Sequence, residues 1–392
     1  MGKVLIYGDF LMSGFVNVPC YIEDQGIVKC SLGFENGVIT SLGNGVIDQP
    51  IPLSEGAIVL PAFIDRHTHG AGGFDTMDAS TTALKNMATK IASEGTAYFL
   101  PTTMTQSKEA ILSSLYAVNR LIGRHFDNGA RVIGVHLEGP FISKKHCGAQ
   151  PEEFVTAPDV ELFDLFNKAS GNNIKIVTVA PEEDGALDLI QHLNDLGIVA
   201  SIGHTSAKFC DLISAVKQGA RSVTHTYNAQ SPLHHRDIGT VGAALYLDEL
   251  YTELIADLVH VSPPAIKLLI KNKPHNKVVL ITDSMRAKHL PDGVSELGGQ
   301  KVIVKNGEAR LEDGTLAGSV LKMNDGIRNI VSLGIRLEDA VDFATKNVAT
   351  SLGLENKIGS IKLGKAASFA VVDKNLDVLY TILDGKIIYK RA

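Results

Sequence analysis

Over residues 1 to 56 the chain alternates short apolar and polar positions in segments at Lys3–Tyr7, Cys20–Glu23, Ile27–Leu32 and Val38–Leu42, separated by Gly, Asn and Asp. That pattern predicts antiparallel strands and hairpins. From Ala57 the rhythm changes to apolar, β-branched runs alternating with amphipathic stretches, which predicts a parallel sheet with helical crossovers. Eight such runs occur: Ile58–Ile64, Ala97–Pro101, Arg131–Leu137, Lys175–Ala180, Val199–Gly203, Ser222–His225, Glu253–Leu258 and Lys277–Thr282. Helical sequence such as Thr82–Ser93, Glu109–Gly123, Ala186–Leu196 and Pro263–Lys271 lies between most of them. Eight strands favour a closed (β/α)8 barrel. Two more helical stretches, Lys322–Leu333 and Leu337–Leu352, precede strands at Ser368–Val372, Val378–Leu383 and Lys386–Tyr389. The expected organisation is a barrel over residues 57–357 and a small β domain built from residues 1–56 and 358–392.

Composition narrows the function. The 392 residues are 45% hydrophobic and 20% charged, the balance of a globular chain. Thirty-seven basic against 43 acidic residues give a net charge of −6, so no global positive field is available to hold nucleic acid or an anionic membrane. Trp is absent and aromatics make up 6%, a poor supply of base-stacking surfaces. No apolar run approaches the ~18 to 20 residues of a membrane span, and the start lacks the basic region and cleavage site of a signal peptide. A cytoplasmic protein is expected. Cys20, Cys30, Cys147 and Cys210 have no CxxC spacing and read as reduced thiols.

On a barrel, catalytic groups collect at the C-terminal ends of the strands. Here the runs end in Asp65-Arg66-His67-Thr68-His69, His136-Leu137-Glu138, Gly203-His204-Thr205, Thr224-His225-Thr226-Tyr227-Asn228, Asp257-Leu258-Val259-His260 and Thr282-Asp283. His67 and His69, at i and i+2, project to one side of an extended segment and can share a metal. Taken alone the pair is equally two polar residues of a Gly-rich turn. Glu138, His204 and His225 add a carboxylate and two imidazoles, a donor set suited to zinc or ferrous iron with a position open for water. Asp283 either caps the turn after its strand or accepts a proton from metal-bound water. The loop Asn228-Ala229-Gln230-Ser231-Pro232-Leu233-His234-His235-Arg236 is a candidate anion grip, or a solvated surface loop. His146-Cys147 reads as loop sequence, and the HGAGGF stretch lacks the G-x-G-x-x-G spacing of a dinucleotide site.

The runs PAFIDRHTHGAGGFDTMDAS, GVHLEGPFIS, GAQPEEF, SIGHTSA, HTYNAQSPLHHRDIGTVGAAL, IADLVHV, ITDSMRAKHLPDG and GTLAGS resemble the N-acetylglucosamine-6-phosphate deacetylases of the amidohydrolase superfamily. The resemblance covers nearly the whole chain. It implies an α/β fold, a metal-dependent (β/α)8 TIM barrel with a small β-sandwich domain from both termini. It also implies a homodimer or higher homo-oligomer in amino-sugar metabolism, acting on a phosphorylated N-acetylhexosamine. By resemblance Glu138, His204 and His225 are the principal ligands of a divalent metal, Zn2+ or Fe2+. His67 and His69 hold a second ion where two are bound, with Glu138 bridging, and Asp283 is the catalytic acid/base. Asn228, the Ala229 backbone, His235 and Arg236 face the phosphate, the last two in their own subunit or reaching from its neighbour, and His260 contacts the sugar. Gln150 stands where several members have a His thought to polarise the acetyl carbonyl. Gln230 and Ser284 stand where Met and Ala are commoner, leaving the hexose preference open.

The implied reaction hydrolyses N-acetyl-D-glucosamine 6-phosphate to D-glucosamine 6-phosphate and acetate. A deacetylase for the galactosamine epimer is the nearest alternative, and a non-catalytic protein that kept the fold is a more distant one. A cyclic-amide hydrolase of the dihydroorotase kind needs a carboxylated Lys ending the fourth strand. Here that strand ends in Val179-Ala180-Pro181, with Lys175 at its beginning.

Overall fold

The computed structural model describes residues 12–43, 45–126 and 128–392. The strand expected at Lys3–Tyr7 lies outside the described residues. Both chain ends share one sheet of eight strands. Its order runs Lys386–Lys390, Val378–Leu383, Phe369–Val372, Ile58–Pro61, Ser13–Ile22, Gly26–Glu35 and Val38–Gly43, with Gln49–Pro50 also pairing Ser13–Ile22. The ends meet where Ile58–Pro61 runs antiparallel to Phe369–Val372. Phe34 and Phe369 lie three strand positions apart, about 14 Å in a flat sheet. Their ring centroids are nevertheless 5.6 Å apart, and both rings touch Phe15. The sheet therefore curls over a core of its own.

The run Ile58–Ile64, expected as one barrel strand, is two. Pro61 has no N–H with which to continue a ladder. The Ala62 N–H then donates to the Ser368 carbonyl at 3.1 Å while the Phe63 N–H donates to Gly95 at 3.0 Å, so the chain changes sheets between them. The main parallel strands that follow are β1 (Phe63–Thr68), β2 (Thr96–Pro101), β3 (Val135–Glu138), β4 (Ile174–Val179), β5 (Val199–Ile202), β6 (Ser222–Val223), β7 (Tyr251–Ile255) and β8 (Val278–Ile281); the run Arg131–Leu137, expected as one strand, breaks at Ile133 and Gly134, its Arg131–Val132 pairing with β2. β1 pairs with β2, and β3 through β8 pair in sequence order, all parallel. Parallel bridges Thr102–His136 and Thr68–Ser284 connect β2 to β3 and the end of β8 back to β1.

Helices such as Thr81–Ala92, Lys108–Asn119, Val160–Ala169 and Pro263–Asn272 cross between these strands. Their starts follow from local chemistry. Ser107 and Asp159 accept from the backbone N–H groups of Ala110 and Leu162, and Pro263 opens its helix, where no N–H is needed. The apolar helix faces bury Leu84, Ile111, Phe163 and Leu189 against the sheet, and every residue of β1, β2 and β3 is buried. Continuous apolar strands are what a sheet covered on both faces requires.

Between β8 and the helix Met323–Ser332 the chain makes a three-stranded antiparallel sheet, Gly293–Leu297, Gln300–Lys305 and Glu308–Arg310, which the sequence reading does not anticipate. Its buried Leu297, Val302, Val304 and Ala309 pack with Met104 and Met285 beside the strand ends. Among the described residues no helix is long and apolar enough to cross a membrane.

Candidate active site

The backbone departs from ordinary geometry where the chemistry was expected. His204, His225 and Asp283, at the ends of β5, β6 and β8, have φ of 47°, 29° and 47°. For residues with a Cβ this region costs about 1 to 2 kcal/mol, and such strain collects at functional sites. The turn into His204 depends on Gly203, where a Cβ would lie 2.6 Å from Thr224 Cβ. The twist brings both imidazoles over the end of β3.

There the buried Glu138 carboxylate is a hub. Its Oε1 lies 3.4 Å from His67 Nε2, 3.3 Å from His204 Nε2 and 3.1 Å from His225 Nε2. Its Oε2 lies 3.1 Å from His69 Nε2 and accepts from Gln150 Nε2 at 2.8 Å. Asp283 Oδ1 faces the same pair from the other side, 3.3 Å from His67 Nε2 and 3.2 Å from His69 Nε2.

The outer ring nitrogens decide what these inner atoms are. His204 Nδ1 lies 2.8 Å from the His146 carbonyl, and His225 Nδ1 lies 3.1 Å from the Asn228 carbonyl. A carbonyl only accepts, so both Nδ1 atoms carry hydrogen. In the neutral rings both Nε2 atoms then present lone pairs, 3.0 Å from each other and beside a carboxylate. Lone pairs converging in this way repel unless a cation lies among them. His67 follows the same logic: Nδ1 donates to Glu253 Oε2 at 3.0 Å, and its buried Nε2 has no hydrogen-bond partner. The donor atoms of Glu138, His204 and His225, and those of His67, His69 and Glu138, each cluster within 4.8 Å. Imidazole nitrogens with one carboxylate fit a divalent ion of the zinc or ferrous kind.

The electrostatics agree. Burial by itself would raise the Glu138 and Asp283 pKa values, but the surrounding histidines, His67 first, hold both below the ordinary carboxylate value. Burial would depress His67 and His69. The Asp283 and Glu138 carboxylates outweigh it, raising His67 well above its ordinary value and His69 to about 9. Two carboxylates here demand positive charge, whether as protons on imidazole or as a metal ion.

Behind the hub stand residues absent from the sequence-based candidates. Glu253 on β7 accepts from His67 Nδ1 and, at 3.2 Å, from the His225 backbone N–H. Arg66 pairs with it at 2.9 Å, and neither side chain is exposed. His136 stacks edge-on against His67 with centroids 4.4 Å apart, and burial pushes it down to about 3, keeping it neutral. The available signal is Arg66 and Glu253 in strand-forming sequence, charges of opposite sign that burial tolerates only when paired.

A cavity of about 320 Å³ opens over these atoms. That is the low end of small-ligand pockets, about 300 to 1,000 Å³. His69, Glu138, His204, His225, Asp283, Gln150, Asn228, Ala229 and His260 line it, so nine expected residues come together, with Lys145 and His146 from the loop after β3. His260 is fixed by Asp257, whose Oδ2 lies 2.6 Å from Nδ1. Gln150 is held at both ends, since its Oε1 accepts the Thr105 N–H at 2.7 Å while Nε2 donates to Glu138. His235 and Arg236 are not gathered in. Both are exposed outside the cavity wall, and Arg236 Nη1 lies 2.8 Å from His235 Nε2. Among the described residues neither pairs with a carboxylate, so within one chain the expected grip is incomplete. The reason is the polar, Pro-containing loop, which projects outward.

The amidohydrolase family model matches residues 58–388. An N-acetylglucosamine-6-phosphate deacetylase from Bacillus subtilis is 43% identical over 380 residues, 95% of this chain and 96% of the relative. Among solved structures, N-acetylglucosamine-6-phosphate deacetylase from Thermotoga maritima superposes with a TM-score of 0.88 at 34% identity, covering 96% of this chain and all of that one. A mutant of the Mycobacterium smegmatis enzyme in complex with N-acetyl-D-glucosamine-6-phosphate gives a TM-score of 0.88 at 28% identity, covering 98% of this chain and all of that one.

Proposed function

The chain belongs to the amidohydrolase family, and we propose that it is a hydrolase removing acetate from N-acetyl-D-glucosamine 6-phosphate, leaving D-glucosamine 6-phosphate. The observation that carries this reading is the convergence of four imidazoles and two carboxylates at the ends of parallel strands, on the floor of a sugar-sized cavity. We read the parallel strands, returned to their start by the Thr68–Ser284 bridge, as the eight-stranded barrel, and the curled terminal sheet as the β-sandwich. Pairing of Ile58–Pro61 with Phe369–Val372 favours a domain division nearer residue 62 than 57.

Glu138, His204 and His225 would hold one divalent ion, and His67 and His69, with Glu138, a second. Zn2+ and Fe2+ both suit these donors. Such an ion supplies Lewis acidity toward the amide carbonyl and lowers the pKa of water toward ~7. Asp283, ionised and with Oδ1 facing His67 and His69, takes a proton from the attacking water and returns it to the amide nitrogen as the C–N bond breaks. Acetate keeps the new oxygen, and the amine leaves neutral rather than as a strongly basic anion. Gln150, with one amide hydrogen on Glu138, has its second for the substrate. His260, its Nδ1 hydrogen on Asp257, offers Nε2 to a sugar hydroxyl, and Asn228 and the Ala229 backbone lie where the phosphate arm would extend. His235 and Arg236 would complete the phosphate grip from a neighbouring subunit of a homo-oligomer, which suits their outward placement. Four free thiols and the lack of a membrane-spanning helix among the described residues accord with a cytoplasmic enzyme.

The deciding experiment is acetate release from N-acetylglucosamine 6-phosphate with and without a chelator, with the galactosamine epimer in parallel. Chelator-sensitive release is expected, faster on the glucosamine substrate. No release from either sugar by metal-loaded protein overturns the proposal.

A further inference from the structure

Glu253 and Arg66 form a fully inaccessible ion pair inside the strand layer, which calls for explanation. Removing two charges from water is so unfavourable that apolar residues of similar volume usually serve stability as well or better. The pair is also fixed in place. Arg66 Nη1 donates to Ser351 Oγ at 2.8 Å and Nη2 to Ser222 Oγ at 2.6 Å, so the guanidinium is tethered to β6 and to the helix Lys346–Ser351. Glu253 Oε1 faces that guanidinium, which leaves Oε2 for the His67 Nδ1 hydrogen and the His225 backbone N–H.

We infer that Glu253, held by Arg66, is a positioning residue for the metal centre: it commits His67 to the tautomer with hydrogen on Nδ1 and ties that ring to the backbone of His225. The inference rests on His67 being a metal ligand, as read above. With the opposite tautomer a lone pair would face the Glu253 carboxylate at 3.0 Å and an N–H would occupy the inner face. The carboxylate excludes that state, and the Nε2 lone pair stays aimed between Glu138 and Asp283. Because the same Oε2 accepts from His225, one group sets the distance between the two ends of the centre. His136, packed edge-on against the ring with centroids 4.4 Å apart, restricts its rotation.

The test uses cobalt-loaded protein, following ion content, retention against a chelator, and the visible absorption of the bound Co2+. Glu253→Gln keeps the shape and removes the charge. Should the stranded Arg66 charge unfold that variant, the double change Arg66→Gln, Glu253→Gln removes both charges together. Outer-shell carboxylates of this kind are worth roughly 10- to 100-fold in metal affinity. The expected result is a loss of that size in retention, with a shifted cobalt absorption that matches the direction seen for His67→Gln. A folded variant with wild-type retention and an unshifted spectrum overturns this inference alone. Wild-type protein that takes up no cobalt overturns the metal reading and this inference with it.

Discussion

Replacing Asp283 by Asn separates proton transfer from every other job the residue does. The backbone at this position is left-handed, with φ of 47°, and is pinned on both sides: its N–H donates to the His67 carbonyl at 2.9 Å and its carbonyl accepts from Ser319 at 2.8 Å. Asn tolerates this conformation as Asp does, because a short polar side chain can hydrogen-bond locally. The amide has nearly the shape of the carboxylate, so the fold and the Glu138, His204 and His225 donor set should survive. What disappears is a base. General acid–base groups contribute about 10² to 10⁴ in rate, or roughly 3 to 5 kcal/mol at 1.36 kcal/mol per tenfold. Asp283→Asn should therefore lose about 10² to 10⁴ in kcat while keeping its metal content and unfolding temperature. Asp283→Ala should lose similar activity and also about 1 kcal/mol of stability, since Ala is strained at this φ. The histidines hold the wild-type carboxylate below its ordinary pKa, so Asp283 is ionised from the usual carboxylate range upward. The assay is acetate release at saturating substrate, with metal analysis of the same samples. Turnover within a few-fold of wild type at full metal content would remove Asp283 from the mechanism.

His204→Ala or His225→Ala should lose the ion itself, and full occupancy in both variants would sink the ligand assignment. The double change His67→Gln, His69→Asn should lower loaded metal from two ions toward one while leaving measurable deacetylation. A wild type that never exceeds one ion, matched by the variant, would return the pair to turn structure. Arg236→Ala should raise KM for the phosphorylated sugar by about ten- to 100-fold, the worth of a charge-assisted hydrogen bond, and matter little for the unphosphorylated one. Equal losses on both sugars would indicate a folding or assembly defect. Asp342, away from the site, tests the electrostatics of the fold: burial, opposed by Tyr21 and Lys346, raises it from 3.8 to about 6. The folded chain therefore holds this proton where the unfolded chain has released it, so the group's stabilising contribution is full below pH ~4 and lost as pH rises to about 6. Discounted for partial exposure, the loss is about 2 kcal/mol. Asp342→Asn should thus be more stable than wild type in urea unfolding at pH 7.5 and equal to it near pH 4; the same difference at both would refute the argument.

The parallel strands were legible because a strand covered on both faces must be apolar along its whole length, and such runs stand out. Two of the departures show why others were not. The change of sheet at Pro61 and Ala62 falls inside one apolar run, and hydropathy carries no information about which neighbour each N–H will find. The antiparallel insertion has a half-exposed middle strand, Gln300–Lys305, with Lys301, Ile303 and Lys305 outward and only Val302 and Val304 fully inward. Six residues with Lys301 and Lys305 around only three apolar positions resemble a surface loop as much as a strand.

The site divides along similar lines. Residues after the strand ends were readable because strand termini on this architecture are where reactive groups are free to converge, and nine of the candidates do line one cavity. His235 and Arg236 stand out by their chemistry, which carries no information on whether a loop turns toward its own cavity or away from it. Glu253 and Arg66 escaped for a different reason: Arg66 stands in the strand-end group beside the two histidines and Glu253 opens an apolar run, and neither position by itself points to a metal ligand or an acid/base. Yet a charge that cannot reach water must have a partner: of the two charges in β1, Asp65 accepts from the Thr282 hydroxyl and Arg66 meets Glu253, the one charge in β7. Pairing such internal charges across the strands is a contact constraint that adds to the motif. Here the Arg66–Glu253 pair sets β7 behind the first histidine of the H-x-H pair, with Glu253 Oε2 3.0 Å from His67 Nδ1.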